Sequence, residues 1–165
     1  MKPSLYFLPI YSALLVLSGC SKDDVSPAEQ ARKNLIDKNY IRTALTVTPE
    51  VPREDGKLIT DLFNDLAFYK MECVRDDIDR YSSNGDFIHG NGETKCDSSE
   101  IQSYTSKWRF LDDYHKIELN GGRKRDTLYI IINDGKVLQY NKVERYAFGG
   151  TLRKYTFTET WLVTK

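Results

Sequence analysis

Between Cys73 and the C-terminus, turn-forming residues break the chain into short segments, none long enough or periodic enough at 3.6 residues to fold as a crossover helix. Without crossover helices, neighbouring strands must run antiparallel and follow one another in order. The segments are 77–82, 86–89, 103–110, 114–119, 127–133, 136–145 and 151–163. Their breaks contain Asn84-Gly85, Asp112-Asp113, Asn120-Gly121-Gly122, Asp134-Gly135 and Gly149-Gly150, all of which suit turn dihedrals. Asn84-Gly85 predicts a two-residue type I′ hairpin, since both residues tolerate positive φ. Residues 40–48 add one more strand, in which Ile41, Thr43, Leu45 and Val47 alternate with Tyr40, Arg42, Ala44 and Thr46. Together these make eight strands in up-and-down succession. Such a meander removes its exposed edges most simply by closing into an antiparallel β-barrel, so the expected class is all-β.

Ahead of the first strand, Ser26-Pro27-Ala28-Glu29 predicts the start of a short N-terminal helix running to about residue 37. Ser can cap, Pro fits the first turn and Glu stands three residues after Ser as in a capping box. Pro49 and Pro52 are expected to close the first strand. Residues 61–68 place Leu62, Phe63 and Leu66 at helical spacing and predict a small helical turn between the first two strands.

The N-terminal 25 residues are of another kind. Met1-Lys2 is followed by 13 uncharged residues, 5–17, too few for a hydrocarbon core that needs about 20 but suited to the apolar part of a secretory signal. Leu17-Ser18-Gly19-Cys20 resembles the lipobox of bacterial lipoproteins, in which the sulfur of the Cys is diacylated and cleavage falls just before it. The resemblance implies that Cys20 becomes a lipidated first residue. Two or three acyl chains, at about 0.8 kcal/mol per buried CH₂, would then hold the protein to a membrane. Ser21-Lys22-Asp23-Asp24 looks like the export tag that sends some Gram-negative lipoproteins to the outer face of the outer membrane. The expected organisation is therefore a signal peptide at 1–19, a lipidated tether at 20–25 and a barrel domain at 26–165. Removal of 19 residues from 165 would leave 146, enough for one domain with its own core.

Cys73 and Cys96 remain once Cys20 is assigned to lipid, and in an oxidising compartment a disulfide is the economical reading, against two free thiols or half a metal site. Metal is disfavoured because neither Cys has a CxxC partner and only His89 and His115 could complete a tetrahedral set. The balance of 24 basic and 24 acidic residues offers no global field for nucleic acid. Asp76, Asp77 and Asp79 read as solvated edge charges, and Arg123-Lys124-Arg125 as a hairpin tip. No GxSxG, HExxH, P-loop or GxGxxG motif occurs, so neither an enzyme nor a cofactor is expected.

CVRDDIDRYSSNGDFIHGNGETKC at 73–96, followed by TSKWRF at 105–110, resembles the lipocalin-like domain of bacterial surface lipoproteins. In that family a Cys with an acidic pair, an aromatic strand, a turn and a second Cys lead into a strand with a Gly-Thr-Trp-like motif. Here Ser106-Lys107 precedes Trp108 instead of Gly-Thr. The resemblance implies a barrel able to hold a small apolar molecule.

Strand parity supplies the candidate lining: Tyr155, Phe157, Glu159 and Trp161 on one face of the last strand, and likewise Phe87 with His89, Trp108 with Phe110, and His115 with Ile117. Glu159, His89 and His115 stand in phase with apolar residues, as the orienting polar groups of a pocket would. Two functions are thus expected to compete. One is a membrane-anchored binder of a small apolar or amphipathic molecule. The other is a cell-envelope module with a solid barrel whose loops bind a protein or a glycan.

Overall fold

The computed structural model describes residues 25–65, 72–99, 101–122, 124–148 and 150–164. The signal, Cys20, the export tag Ser21 to Asp24, and Leu66, Ala67 and Phe68 of the expected helical turn lie outside the described residues. Helix α1, Pro27–Leu35, starts as its sequence dictates: the Ser26 hydroxyl accepts from the Glu29 amide at 3.2 Å and Pro27 occupies the first turn.

Among the described residues nine strands follow: β1 (Asn39–Pro52), β2 (Leu58–Asp61), β3 (Ile78–Tyr81), β4 (Asp86–Gly90), β5 (Ser103–Leu111), β6 (Lys116–Asn120), β7 (Arg125–Asn133), β8 (Val137–Phe148) and β9 (Thr151–Thr164). Strands β3 to β9 pair in sequence order, and β1 pairs with both β3 and β9, so eight antiparallel strands close a barrel. Strand β2 lies outside that ring and, among the described residues, pairs only with β1.

Strand β1 is longer than expected and serves three neighbours. Asn39 to Ile41 face β3, Thr46 to Pro52 face β2 on the same edge, and the opposite edge follows β9 from Thr164 to Thr156. Pro49 does not stop it, and Pro52 is its last residue. Pro49 sits where the β2 ladder skips from Thr46 to Val51 and beyond the last β9 partner of Thr48, so no ladder bond needs its missing N–H. Of the expected helical turn, Asp61 belongs to β2, and the Leu62 and Phe63 amides both donate to the Leu45 carbonyl at 2.9 and 3.2 Å.

The β3–β4 hairpin is also built differently. Ser82 N–H donates to the Asp86 carbonyl at 2.7 Å, which makes Ser83-Asn84-Gly85 a three-residue loop. Only Gly85 takes positive φ, +85°. That is the turn-plus-bulge hairpin rather than a type I′ turn.

The interior divides into two clusters. At the end covered by α1, Leu35, Tyr40, Tyr81, Phe87, Trp108, Ile117, Leu128, Leu138, Tyr140 and Trp161 form one buried core. Helix α1 is fastened over it: Asn34 Nδ2 donates to the Asn133 carbonyl, Asn133 Nδ2 to the Ala31 carbonyl and Arg32 to the Ser83 carbonyl, at 2.7 to 2.9 Å. Tyr40 Oη donates to the Leu35 carbonyl at 3.1 Å. The smaller cluster, Leu45, Val47, Val51, Ile59, Leu62 and Tyr155, lies where β1 leaves the ring to meet β2.

Candidate functional site

Among the described residues the end of the barrel opposite α1 is open, and its mouth is a cavity of about 370 Å³ lined by Arg42, Leu45, Leu62, Lys142, Glu144, Tyr146, Phe148, Phe157 and Glu159. Cross-strand register brings them together. Leu45 stands opposite Glu159, which stands opposite Tyr140, and Phe157 opposite Lys142. The aromatic wall is cross-braced, with Tyr146 edge-on to Phe157 at 5.7 Å and Phe148 edge-on to Tyr155 at 4.9 Å.

The floor is charged and paired. Arg42 Nε lies 3.1 Å from Glu159 Oε2, with the side chains only 17% and 12% exposed, and the guanidinium rests 4.6 Å from the centre of the Trp161 ring. Lys142 Nζ reaches Glu144 at 2.7 Å and Asp126 at 3.1 Å, and Lys124 closes the group with Glu144 at 2.9 Å. Burial alone would lower the Lys142 pKa, but its contacts with Glu144 and Asp126 raise it. Burial likewise works against the charged form of Glu144, and Lys142 and Lys124 outweigh it and hold the carboxyl below its usual range.

A second polar group lies in the adjoining wall. His89 Nδ1 is 2.6 Å from Asp79 Oδ1, its Nε2 is 3.6 Å from Asp77 Oδ2, and its ring stacks on Tyr104 at 4.8 Å. Asp77 and Asp79 are each only 6% exposed, so they are not the solvated edge charges that their position suggests. Burial opposes the charged imidazole, yet the bond to Asp79 and the charges of Asp79 and Asp77 raise the His89 pKa. Burial raises that of Asp77. Asp77 and its neighbour Asp76 also tie down the loop that follows β4: Thr94 N–H donates to Asp76 at 3.0 Å and Gly92 N–H to Asp77 at 3.3 Å. A Cβ at Gly92 would stand 2.1 Å from Asp76 Cγ, so any larger residue there would displace the Asp76 carboxylate. The Cys73–Cys96 disulfide, with Cα atoms 5.2 Å apart, closes this loop covalently. Among the described residues no group of His, Cys, Asp and Glu is arranged to hold a metal ion.

Of the residues expected to line a pocket, Phe157 and Glu159 do so. Phe87, Trp108, Ile117 and Trp161 belong to the core at the closed end, with Phe110 packed against it. Trp108 Nε1 donates to the Ser82 carbonyl at 3.0 Å. Tyr155 is buried in the smaller cluster. His115 is exposed in the turn between β5 and β6, which continues through Tyr114, at φ +74°, so neither residue starts a strand.

Arg42, Leu45, Leu62, Lys142, Glu144, Tyr146 and Phe148 complete the cavity unannounced. Alternation along β8 from Leu138 and Tyr140 points to Lys142, Glu144, Tyr146 and Phe148, but two inward charges hide that signal. Arg42 is concealed by a bulge. Arg42 pairs with Trp161 and Ala44 with Thr160, so Thr43 is the extra residue, and the inner face passes from Tyr40 and Arg42 to Leu45 and Val47.

A smaller groove of about 230 Å³ lies on the outer face, bordered by Lys107, Arg109, Glu118, Asn120 and Arg125. Its charges are partly spent, Lys107 on Asp86 and Arg109 on Glu118 at 2.8 Å. At the hairpin tip Lys124 pairs with Asp126 and Glu144, and Arg123 lies outside the described residues. No known protein-family model matches the chain, and a search of curated proteins finds no match either.

Proposed function

We propose that the protein is a lipid-anchored, lipocalin-like envelope protein that binds a small amphipathic molecule in the open end of its barrel. The observation that carries this reading is the mouth cavity itself, in which Leu45, Leu62, Phe148 and Phe157 form an apolar wall above the paired charges of Arg42, Glu159, Lys142 and Glu144. Apolar walls with a few convergent polar groups are what small-molecule sites generally offer. Anchoring rests on Cys20 in its lipobox-like setting, and export to the outer face of the outer membrane on Ser21 to Asp24.

Trp161 is the natural reporter, because Arg42 both lines the cavity and covers that ring. In a Trp108→Phe background, emission from Trp161 should change saturably with an aromatic or short-chain amphiphile. A flat titration across a broad panel would remove the binding reading.

The rival reading, a solid module that binds protein or glycan through its loops, draws on the filled half of the barrel around Trp161, Tyr40 and Tyr81. It expects Phe157→Ala to cost about 3 to 5 kcal/mol, as in a packed interior. A cavity-lining Phe157, already facing open space, should cost less.

A further inference from the structure

Among the described residues the charges that line the cavity cancel. Two cations, Arg42 and Lys142, and two anions, Glu144 and Glu159, line it, and each has an oppositely charged partner within 3.1 Å. We infer that the ligand is a net-neutral amphiphile with one ring-sized apolar body and an uncharged or zwitterionic head. This rests on the binding reading above and adds the charge and size of the molecule bound.

Charge follows from the pairing. A head with a net positive or negative charge would enter a half-enclosed site whose every counter-charge is already engaged. It would have to stay unpaired or break a pair, and stripping a partner from a buried ion pair is strongly unfavourable. An uncharged or zwitterionic head leaves both pairs whole.

Size follows from the volume. About 370 Å³ corresponds to about a dozen waters at ~30 Å³ each. That accommodates one or two fused rings with a short polar arm and excludes a whole two-chain lipid.

Four indoles differing only at the head test this by calorimetry on the full chain: indole-3-ethanol (neutral), tryptophan (zwitterionic), tryptamine (cationic) and indole-3-acetate (anionic). The two net-neutral members should bind at least about tenfold more tightly than either charged one. Glu159→Gln leaves the floor one positive charge in excess and should move indole-3-acetate to the top of the order. Arg42→Gln should promote tryptamine instead. A charged member binding best to the unaltered protein would overturn neutrality and leave the binding reading intact. Failure of all four to bind would overturn both. An order unchanged in a folded Gln variant would show that these charges do not select the ligand. The panel on the unaltered protein decides the matter even if a variant does not fold.

Discussion

His89, between Asp79 at 2.6 Å and Asp77 at 3.6 Å, ties the fold to pH. Its pKa in the folded protein lies above the ordinary 6.5, so folding takes up a proton there. The stability this adds is complete below about pH 6.5 and is lost as pH rises through the higher folded value. His89→Gln would leave two buried carboxylates without their cation and should cost about 3 to 5 kcal/mol at acidic pH. The two stability curves, measured by denaturant titration, should then approach one another as pH rises; a constant separation would mean that His89 acts by packing alone. At this scale the sequence was legible where side chains obey alternation and opaque where the backbone resets it. Strict alternation puts Arg42 on the wrong face because the bulge at Thr43 is invisible in residue types. Asp77 and Asp79 read as surface charges because their partner, His89, comes from the next strand.

The hairpins were legible as elements because turn chemistry is local. Asp134-Gly135 separates β7 from β8, and Asn84-Gly85 marks the β3–β4 turn even though its geometry is a bulged three-residue loop. Helix α1 follows from Ser26, Pro27 and Glu29 alone. Strand β2 was not legible: it has four residues, only Ile59 among them is buried, and its pairing depends on a distant stretch of β1. The loop from β4 to β5 is held by the Cys73–Cys96 bridge, which spans 23 positions. By loop entropy that bridge stabilises the fold by about 3 kcal/mol. Both thiols should resist alkylation until reduced, and reduction should lower the denaturation midpoint by a corresponding amount. Labelling of either thiol in the folded, unreduced protein would contradict the pairing.

As a whole, the molecule is a barrel packed solid at one end and open at the other. The solid half was readable as aromatic strands. The open half was readable at Phe157 and Glu159 alone, since the rest of its floor consists of charges that pattern reading assigns to the surface: Lys142 and Glu144 alternate in phase with Tyr140 and Tyr146, yet they face inward, where each neutralises the other. The proposed attachment to a membrane rests on the N-terminal sequence around Cys20. Cys20→Ser should block lipid attachment and signal cleavage, leaving a longer, unlipidated chain in the soluble fraction; normal processing of that variant would contradict a lipid anchor. The binding role is tested most directly by native mass spectrometry of the protein purified from its own host. A binding barrel should carry one small, net-neutral molecule in one-to-one ratio, lost on denaturation and lost when Leu45→Trp fills the cavity. Preparations without any non-covalent mass, or a mass retained in folded Leu45→Trp, would contradict binding at the barrel mouth.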